Sequence, residues 1–373
     1  MLFVGIQCAA LAVLLASCSS GLPVRRDVSE AEEYTRPSSY SFVFVIHGDG
    51  DYLYHDPEGL ERRADEKVLL DVIRVAERNP GAEVFIFHQR PARRFLFLFP
   101  LPDGDFYYYR GGVLITRESY GRGQAGTGLT PEVRLFRKFK PSYREGQRRM
   151  FLYFGHDIPE VEGKGYDASY PDREFTVQDM SEGLQGFSSD GPRFDLIVLS
   201  TCYGGTPFTI EAVGRYARHI IASPVNLHLS YFDVGLLERT DIGGSDEDMS
   251  SFAKRFAREA FDRLSRDVHT EVSVVVYDVD RVQEYLHAIR GDYRRVLSSW
   301  TREAQASDGE GERCDCADIR TAADSMMNQG VTVFFSPARF GRSAMKQGHS
   351  GWGCRREDVS GDRTSRRRRW FPE

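Results

Sequence analysis

The sequence predicts an α/β fold, a mainly parallel sheet with helices on both faces, and three observations lead there. Strand-like apolar runs alternate with helically spaced segments from Tyr40 to Ser336. Several runs are apolar throughout rather than at every second residue (YSFVFVI at Tyr40–Ile46, MFLYF at Met150–Phe154, FDLIVLS at Phe194–Ser200). That is the signature of strands covered on both faces. Polar segments carrying His or Cys follow these runs directly, at the carboxyl ends where open parallel sheets hold their ligands.

In chain order, Tyr40–Ile46 is the first strand and His47-Gly48-Asp49-Gly50-Asp51 its turn-rich exit. Glu58 to Arg78 carries Val68, Leu69, Val72, Ile73, Val75 and Ala76 at helical spacing, and Asn79-Pro80-Gly81 stops it. Glu83–His88 is a second strand. Phe95–Phe99 and Phe106–Ile115 are strand-like runs joined by a turn at Pro102-Asp103-Gly104. The aromatics of these runs read as packing residues. Met150–Phe154 is a strand, Val177–Leu184 a short helix, Phe194–Ser200 a buried strand, Pro207–Tyr216 a helix and His219–Ala222 a short strand. Helix Met249–Arg263, strand Glu271–Tyr277, helix Asp280–Ala304 and strand Val331–Ser336 complete the body.

The chain has 373 residues, 41% hydrophobic and 28% charged, a globular composition that excludes wholesale disorder. A net charge of −6 excludes a general nucleic-acid binder, which needs a basic face for phosphates. The basic run Arg366–Arg369 stands in a tail that holds seven basic and four acidic residues from Arg355 onward. It reads as a solvated segment.

Leu2 to Ala16 is almost wholly apolar, shorter than the roughly 20 residues of a membrane-spanning helix. It closes on small residues, as a secretory signal does. Leu15-Ala16-Ser17-Cys18 resembles the lipobox of bacterial lipoproteins, although no Lys or Arg precedes the apolar run. The resemblance implies cleavage before Cys18, lipid on its thiol, and an exported bacterial protein anchored in the cell envelope. The organisation expected is signal peptide 1–17, lipid attachment and linker 18–39, folded body 40–355, and basic disordered tail 356–373.

Cys202 leaves a buried strand within Ser200-Thr201-Cys202-Tyr203-Gly204-Gly205 and precedes a helix, whose N-terminal partial charge lowers a thiol pKa. The glycines are expected to leave room for a substrate backbone. His156 stands at the end of MFLYF. If the two strands are neighbours, one His can hold the thiolate and protonate a leaving amine. The alternatives are an inert buried Cys and a structural His.

At this pair the sequence resembles the clostripain family of caspase-like cysteine peptidases. The resemblance extends to Tyr40–Asp51, to Tyr166–Leu184, to the strand before Cys202, to Ile220-Ile-Ala-Ser-Pro224, to Glu271–Val279, and to Val331–Ser336 with His349-Ser-Gly-Trp352. It implies a caspase-like three-layer sandwich and a peptide or protein substrate. It also implies acyl transfer: Cys202 as nucleophile, His156 as acid and base, and the Cys202 and Asp157 N–H groups as oxyanion donors. Two positions depart from the pattern. Asp157 stands where the family has Gly. Ser200 stands where the family often has the Asp that recognises a basic side chain, and Asp233 is the expected substitute. Ser200 and Asp233 are thus the expected substrate-binding positions.

No cofactor is required by this reading. Calcium, used by some clostripain relatives, is an open option through Asp49 and Asp51, though a turn explains the loop as well. Cys314, Cys316 and Cys354 admit a disulfide to Cys354, a zinc site with His349, or no pairing. Lys164, between His156 and Cys202, is a conceivable processing point. Two rival functions remain open. One is a thiol α/β-hydrolase, with Ser200-x-Cys202-x-Gly204 as its elbow, His47-Gly48 as oxyanion segment and a later His (His228, His269 or His349) as base. The other is a degenerate peptidase that binds without catalysis.

Overall fold

The computed structural model describes residues 38–49, 53–55, 60–95, 99–122, 128–139, 146–160, 173–189, 191–227, 231–239, 247–287 and 330–340. The expected signal, Cys18, Asp51, Lys164, Cys314, Cys316, Cys354 and the basic tail lie outside these residues, as do His228 and His349.

The elements are β1 (Tyr40–His47), β2 (Leu53–His55), β3 (Glu61–Arg63), α1 (Ala64–Glu77), β4 (Ala82–Gln89), β5 (Arg94–Phe95), β6 (Phe99–Pro100), β7 (Gly104–Arg110), β8 (Val113–Tyr120), α2 (Thr130–Phe139), β9 (Arg148–Phe154), α3 (Val177–Ser188), β10 (Phe194–Ser200), α4 (Pro207–Gly214), β11 (Ala217–Ala222), α5 (Gly235–Arg239), α6 (Met249–Asp267), β12 (Val272–Asp278) and β13 (Val331–Ser336). Residues 279–287 are helical.

Nine strands form one sheet in the order β13-β12-β11-β10-β9-β1-β4-β7-β8. Its centre, β11 to β4, is parallel, and two antiparallel strands flank it on each side. The continuous apolar runs are these central strands. All eight residues of β1 and of β4 are buried. Alternate residues serve opposite faces. Phe42, Phe44, Met150, Leu152, Leu196 and Val198 pack with α1 and α6 through Val68, Val72, Phe252 and Phe256. Val43, Val45, Phe151, Ile197 and Leu199 pack with α2, α3 and α4 through Phe136, Met180, Leu184 and Ile210. This is the three-layer, caspase-like α/β arrangement expected from the sequence.

Several boundaries differ from expectation. The helix expected from Glu58 begins at Ala64, because Glu61–Arg63 pairs with Leu53–His55 as a hairpin. The run Phe106–Ile115 is two strands, split at Gly111 and Gly112, whose φ values of +63° and +79° make a hairpin turn. Phe95–Phe99 contributes only the small β5–β6 pairing. Helix α2 is an addition to the elements expected from the sequence. It is held by buried Val133 and Phe136 at i,i+3, with Glu132 also inside. β12 and β13 run antiparallel to their neighbours.

Arg149, buried at the start of β9, donates to the carbonyls of Phe187 (2.7 Å) and Pro192 (2.6 Å) and lies over the Phe194 ring. Its own N–H donates to Asp195 at 2.8 Å. The start of β9 is thereby tied to the start of β10 and to the end of α3.

A Cβ on Gly112 would stand 2.8 Å from the Glu77 carbonyl, in a backbone conformation that disfavours side chains. Gly112→Ala is expected to destabilise the protein by about 1–3 kcal/mol, read as a lower urea midpoint at unchanged slope.

Candidate active site

The parallel pairing of β9 with β10 sets Ser200 opposite Phe154. His156 and Cys202 each lie two residues further on, so both leave the sheet at the same edge from adjacent strands. Both side chains are half-buried, open in part to solvent. The two exits are also stitched together: Gly155 N–H donates to the Ser200 carbonyl (3.4 Å), and the Thr201 hydroxyl donates to the His156 carbonyl. Asp157 follows on the same loop, half-buried.

The thiol is embraced by the loop after β11. Its S–H donates to Asn226 Oδ1 (3.2 Å), and the Leu227 N–H donates to Sγ (3.3 Å). The loop is fixed to the nucleophile segment by Tyr203 N–H to the Val225 carbonyl (3.2 Å) and Gly205 N–H to the Ser223 carbonyl (2.9 Å). Ser223 braces the turn, its hydroxyl donating to the Val225 carbonyl and accepting from the Val225 N–H. Tyr203, directly after the Cys, has φ +53°, a strained conformation for a non-glycine residue and one that clusters at functional sites.

Three expectations for this segment are corrected. Helix α4 begins where expected, yet its first turn is matched by a group other than the thiol. It starts at Pro207, with Thr206 as its N-cap, and the Thr206 and Thr209 hydroxyls donate to the Glu160 carboxylate. The helix end is therefore matched by Glu160 rather than by the thiol. Gly205 does not clear space for a substrate: a Cβ there would meet Tyr277 Oη at 2.7 Å and Pro224 N at 2.9 Å, so the protein itself fills the position. Ser200 is fully buried and its hydroxyl accepts the Phe232 N–H at 2.8 Å. It cannot touch a substrate; it seats the 231–234 segment beneath the nucleophile strand. Asp233, the other expected substrate-binding position, is partly exposed; its carboxylate accepts the Gly235 N–H (2.8 Å) and pairs with Arg263 (3.4 Å).

No sequence motif points to Asn226 or Leu227. A Ser-Pro pair directly after a short strand marks a sharp turn, but not what the turn wraps around.

Behind His156 the end of β1 is set in a buried polar lattice. Arg122 can only donate, so its contact to His47 Nε2 (2.8 Å) makes that nitrogen the acceptor. The ring proton then sits on Nδ1 and is donated to Tyr153 Oη (2.9 Å). Burial, then Arg122 and Arg173, push the His47 pKa well below its ordinary value, so this imidazole is neutral. Arg122 also donates to Gln89 and, with Arg173, to Asp103. Burial alone would raise the Asp103 carboxyl. The two guanidiniums outweigh it and hold the group below the usual range.

Asp49 leaves this lattice toward His156, its Oδ2 at 3.7 Å from Nε2. Among the described residues no group of three or more His, Cys, Asp or Glu could hold a metal ion; Asp51, the second carboxylate considered for calcium, lies outside them. The described histidine available to the rival hydrolase, His269, precedes β12. That strand is separated from the nucleophile strand by β11, whereas His156 leaves the adjacent β9.

Residues 153–326 match the family model of the clostripain family. The match begins inside β9, the strand that leads to His156, and includes Cys202, and it supports a cysteine peptidase. The chain is also similar to solved structures. One is a secreted C11 cysteine protease from Bacteroides thetaiotaomicron in complex with an irreversible peptide inhibitor, at 14% identity over 70% of this chain and 70% of that one, TM-score 0.47. Another is an inactive zymogen C11 protease from Parabacteroides distasonis, at 14% identity over 67% and 64%, TM-score 0.45. No curated protein matches the chain.

The neutral His47 carries a pH dependence of stability. Its folded pKa is depressed, whereas the unfolded residue titrates near about 6.5. Below that pH the unfolded chain takes up a proton that the folded chain refuses, so stability falls as pH falls. The melting temperature should drop between about pH 7 and 5, and His47→Gln should flatten that slope. Equal slopes would remove His47 as the source.

Proposed function

We propose that the protein is a cysteine endopeptidase that cleaves peptide bonds with Cys202 as nucleophile and His156 as its acid–base partner. The observation that carries this reading is the β9–β10 register, which delivers the two groups to one sheet edge from neighbouring parallel strands.

The chemistry is acyl transfer. His156 takes the thiol proton, and the Cys202 sulfur attacks the peptide carbonyl. The Leu227 N–H, already directed at Sγ, favours the thiolate. A turn of the Asn226 amide exchanges its acceptor for a donor once the proton has left. The N–H groups of Cys202 and Asp157 receive the oxyanion, and His156 returns its proton to the leaving amine. The thioacyl enzyme forms as the C–N bond breaks; water then attacks the thioester and releases the acid and the thiol. No cofactor enters these steps.

For recognition beside the cleaved bond we assign Asp233, whose carboxylate a basic side chain would share with Arg263. Export and lipid attachment at Cys18 complete the proposal and place the enzyme in the bacterial cell envelope, where its partners are peptides or proteins and the membrane. No helix of the described residues is long and apolar enough to cross a membrane; in this reading the anchor is the lipid on Cys18.

Cys202→Ala should abolish covalent labelling by a peptidyl acyloxymethyl ketone together with hydrolysis of a fluorogenic peptide library. His156→Ala should lower turnover by about 10²–10⁴-fold. Labelling of Cys202→Ala at the wild-type rate would remove Cys202 from the role.

A further inference from the structure

We infer that Asp49 is the positioning residue of His156: its buried carboxylate faces ring Nε2, fixes the proton there, and leaves Nδ1 to exchange the proton of the Cys202 thiol. This deepens the proposed peptidase reading and rests on it.

Three observations place Asp49 in this role. Its carboxylate is 3.7 Å from His156 Nε2, too long for a hydrogen bond but within ion-pair range. Such contacts commonly shorten in the substrate complex. Asp49 is only 6% exposed, so its charge acts through protein rather than through water. The backbone that leads into it is pinned at the two preceding residues. His47 is locked between Tyr153 and Arg122. Gly48 N–H donates to the Gln89 carbonyl at 2.6 Å, and Gly48 lies so close to the Asp65 carboxylate that a Cβ would collide with it. Asp65 is held in turn by His88 at 2.8 Å. The His156 backbone is held as well, through the Thr201 hydroxyl on its carbonyl.

The function of such a carboxylate follows from imidazole chemistry. A neutral imidazole has one N–H and one acceptor nitrogen, and which is which depends on the partner of the other. An anion on the Nε2 side selects the Nε2–H tautomer and leaves Nδ1 as acceptor. When the ring takes the thiol proton it becomes an imidazolium, and the same carboxylate stabilises that charge. The neighbouring His47, kept neutral, adds no opposing cation.

The test uses the full chain and the rate of Cys202 labelling by a peptidyl acyloxymethyl ketone in wild type, Asp49→Asn, His156→Ala and the double variant. Asp49→Asn should label roughly 10–100-fold more slowly, with kcat lowered and KM nearly unchanged. In the His156→Ala background the same substitution should have no further effect, because its route to the thiol is already gone. Equal losses in both backgrounds would overturn the positioning role, and so would a wild-type rate in Asp49→Asn. Should Asp49→Asn fold poorly, long-range 15N correlation on the wild-type protein tests the same point: an Nε2–H tautomer at His156 is expected, and Nδ1–H would sink the inference. If the wild type is not labelled at all, or Cys202→Ala labels equally, the peptidase reading fails first and takes this one with it.

Discussion

Everything at the candidate site depends on the register between β9 and β10. In strands buried on both faces, apolar side chains alone fix register weakly, because a shifted pairing still buries them. Polar contacts at both ends remove that freedom. At the start, the Arg149 N–H is held by Asp195, and its guanidinium is spent on the carbonyls of Phe187 and Pro192. At the finish, Gly155 reaches the Ser200 carbonyl and Thr201 reaches the His156 carbonyl. A shift of one residue would break all of these and turn His156 or Cys202 to the opposite face. A buried arginine is a costly way to begin a strand unless its donors are satisfied. Here each of those contacts also specifies the pairing.

The site is then built by segments distant in sequence that close on the two exits from opposite sides. The loop after β11 reaches back to Cys202, with Asn226 and Leu227 on the sulfur. The end of β1 comes up behind His156, with Asp49 toward the ring. Neither segment is free to drift. The first is tied through Val225 and Ser223 to the nucleophile loop, and the second through Gln89 and Arg122 to the neighbouring strand and the loop beyond β8. The geometry thus belongs to backbone hydrogen bonds and a buried polar lattice rather than to loop tips, which suits groups that must hold their separation during proton transfer.

This explains which features were legible in the sequence. Continuous apolar runs such as FVFVI and LIVL read as central strands because burial on both faces leaves no other pattern. Cys202 and His156 stood out because each directly follows such a run. The antiparallel flanks were less readable. β8 is an edge strand whose residues are mostly exposed, so it lacks the continuous run, and the Gly111-Gly112 turn lay hidden inside an apparently single stretch. Ser200 and Asp49 were misjudged or missed for a shared reason. Their roles depend on what lies opposite them in space, Phe232 for one and His156 for the other, and those partners are 32 and more than a hundred residues away.

The activation of the thiol illustrates the same point. Strand, Cys, Gly-Gly and helix in succession suggest a nucleophile seated on a helix N-terminus. In the structure, four residues separate Cys202 from α4, and the positive end of that helix faces Glu160, a carboxylate supplied by the His156 loop. A helix terminus already matched by a full negative charge has little potential left for a thiolate. What remains near the sulfur is local: one backbone N–H at 3.3 Å and a side-chain amide at 3.2 Å, while the imidazole leaves the adjoining strand at the same sheet edge. Of these only the imidazole can carry the full charge that opposes a thiolate. In the proposed mechanism the carboxylate directed at that imidazole, not the helix, is therefore the long-range electrostatic element. Glu160 has a different part: it binds the His156 loop to the first turn of α4 and so keeps both exits of the sheet in one rigid frame.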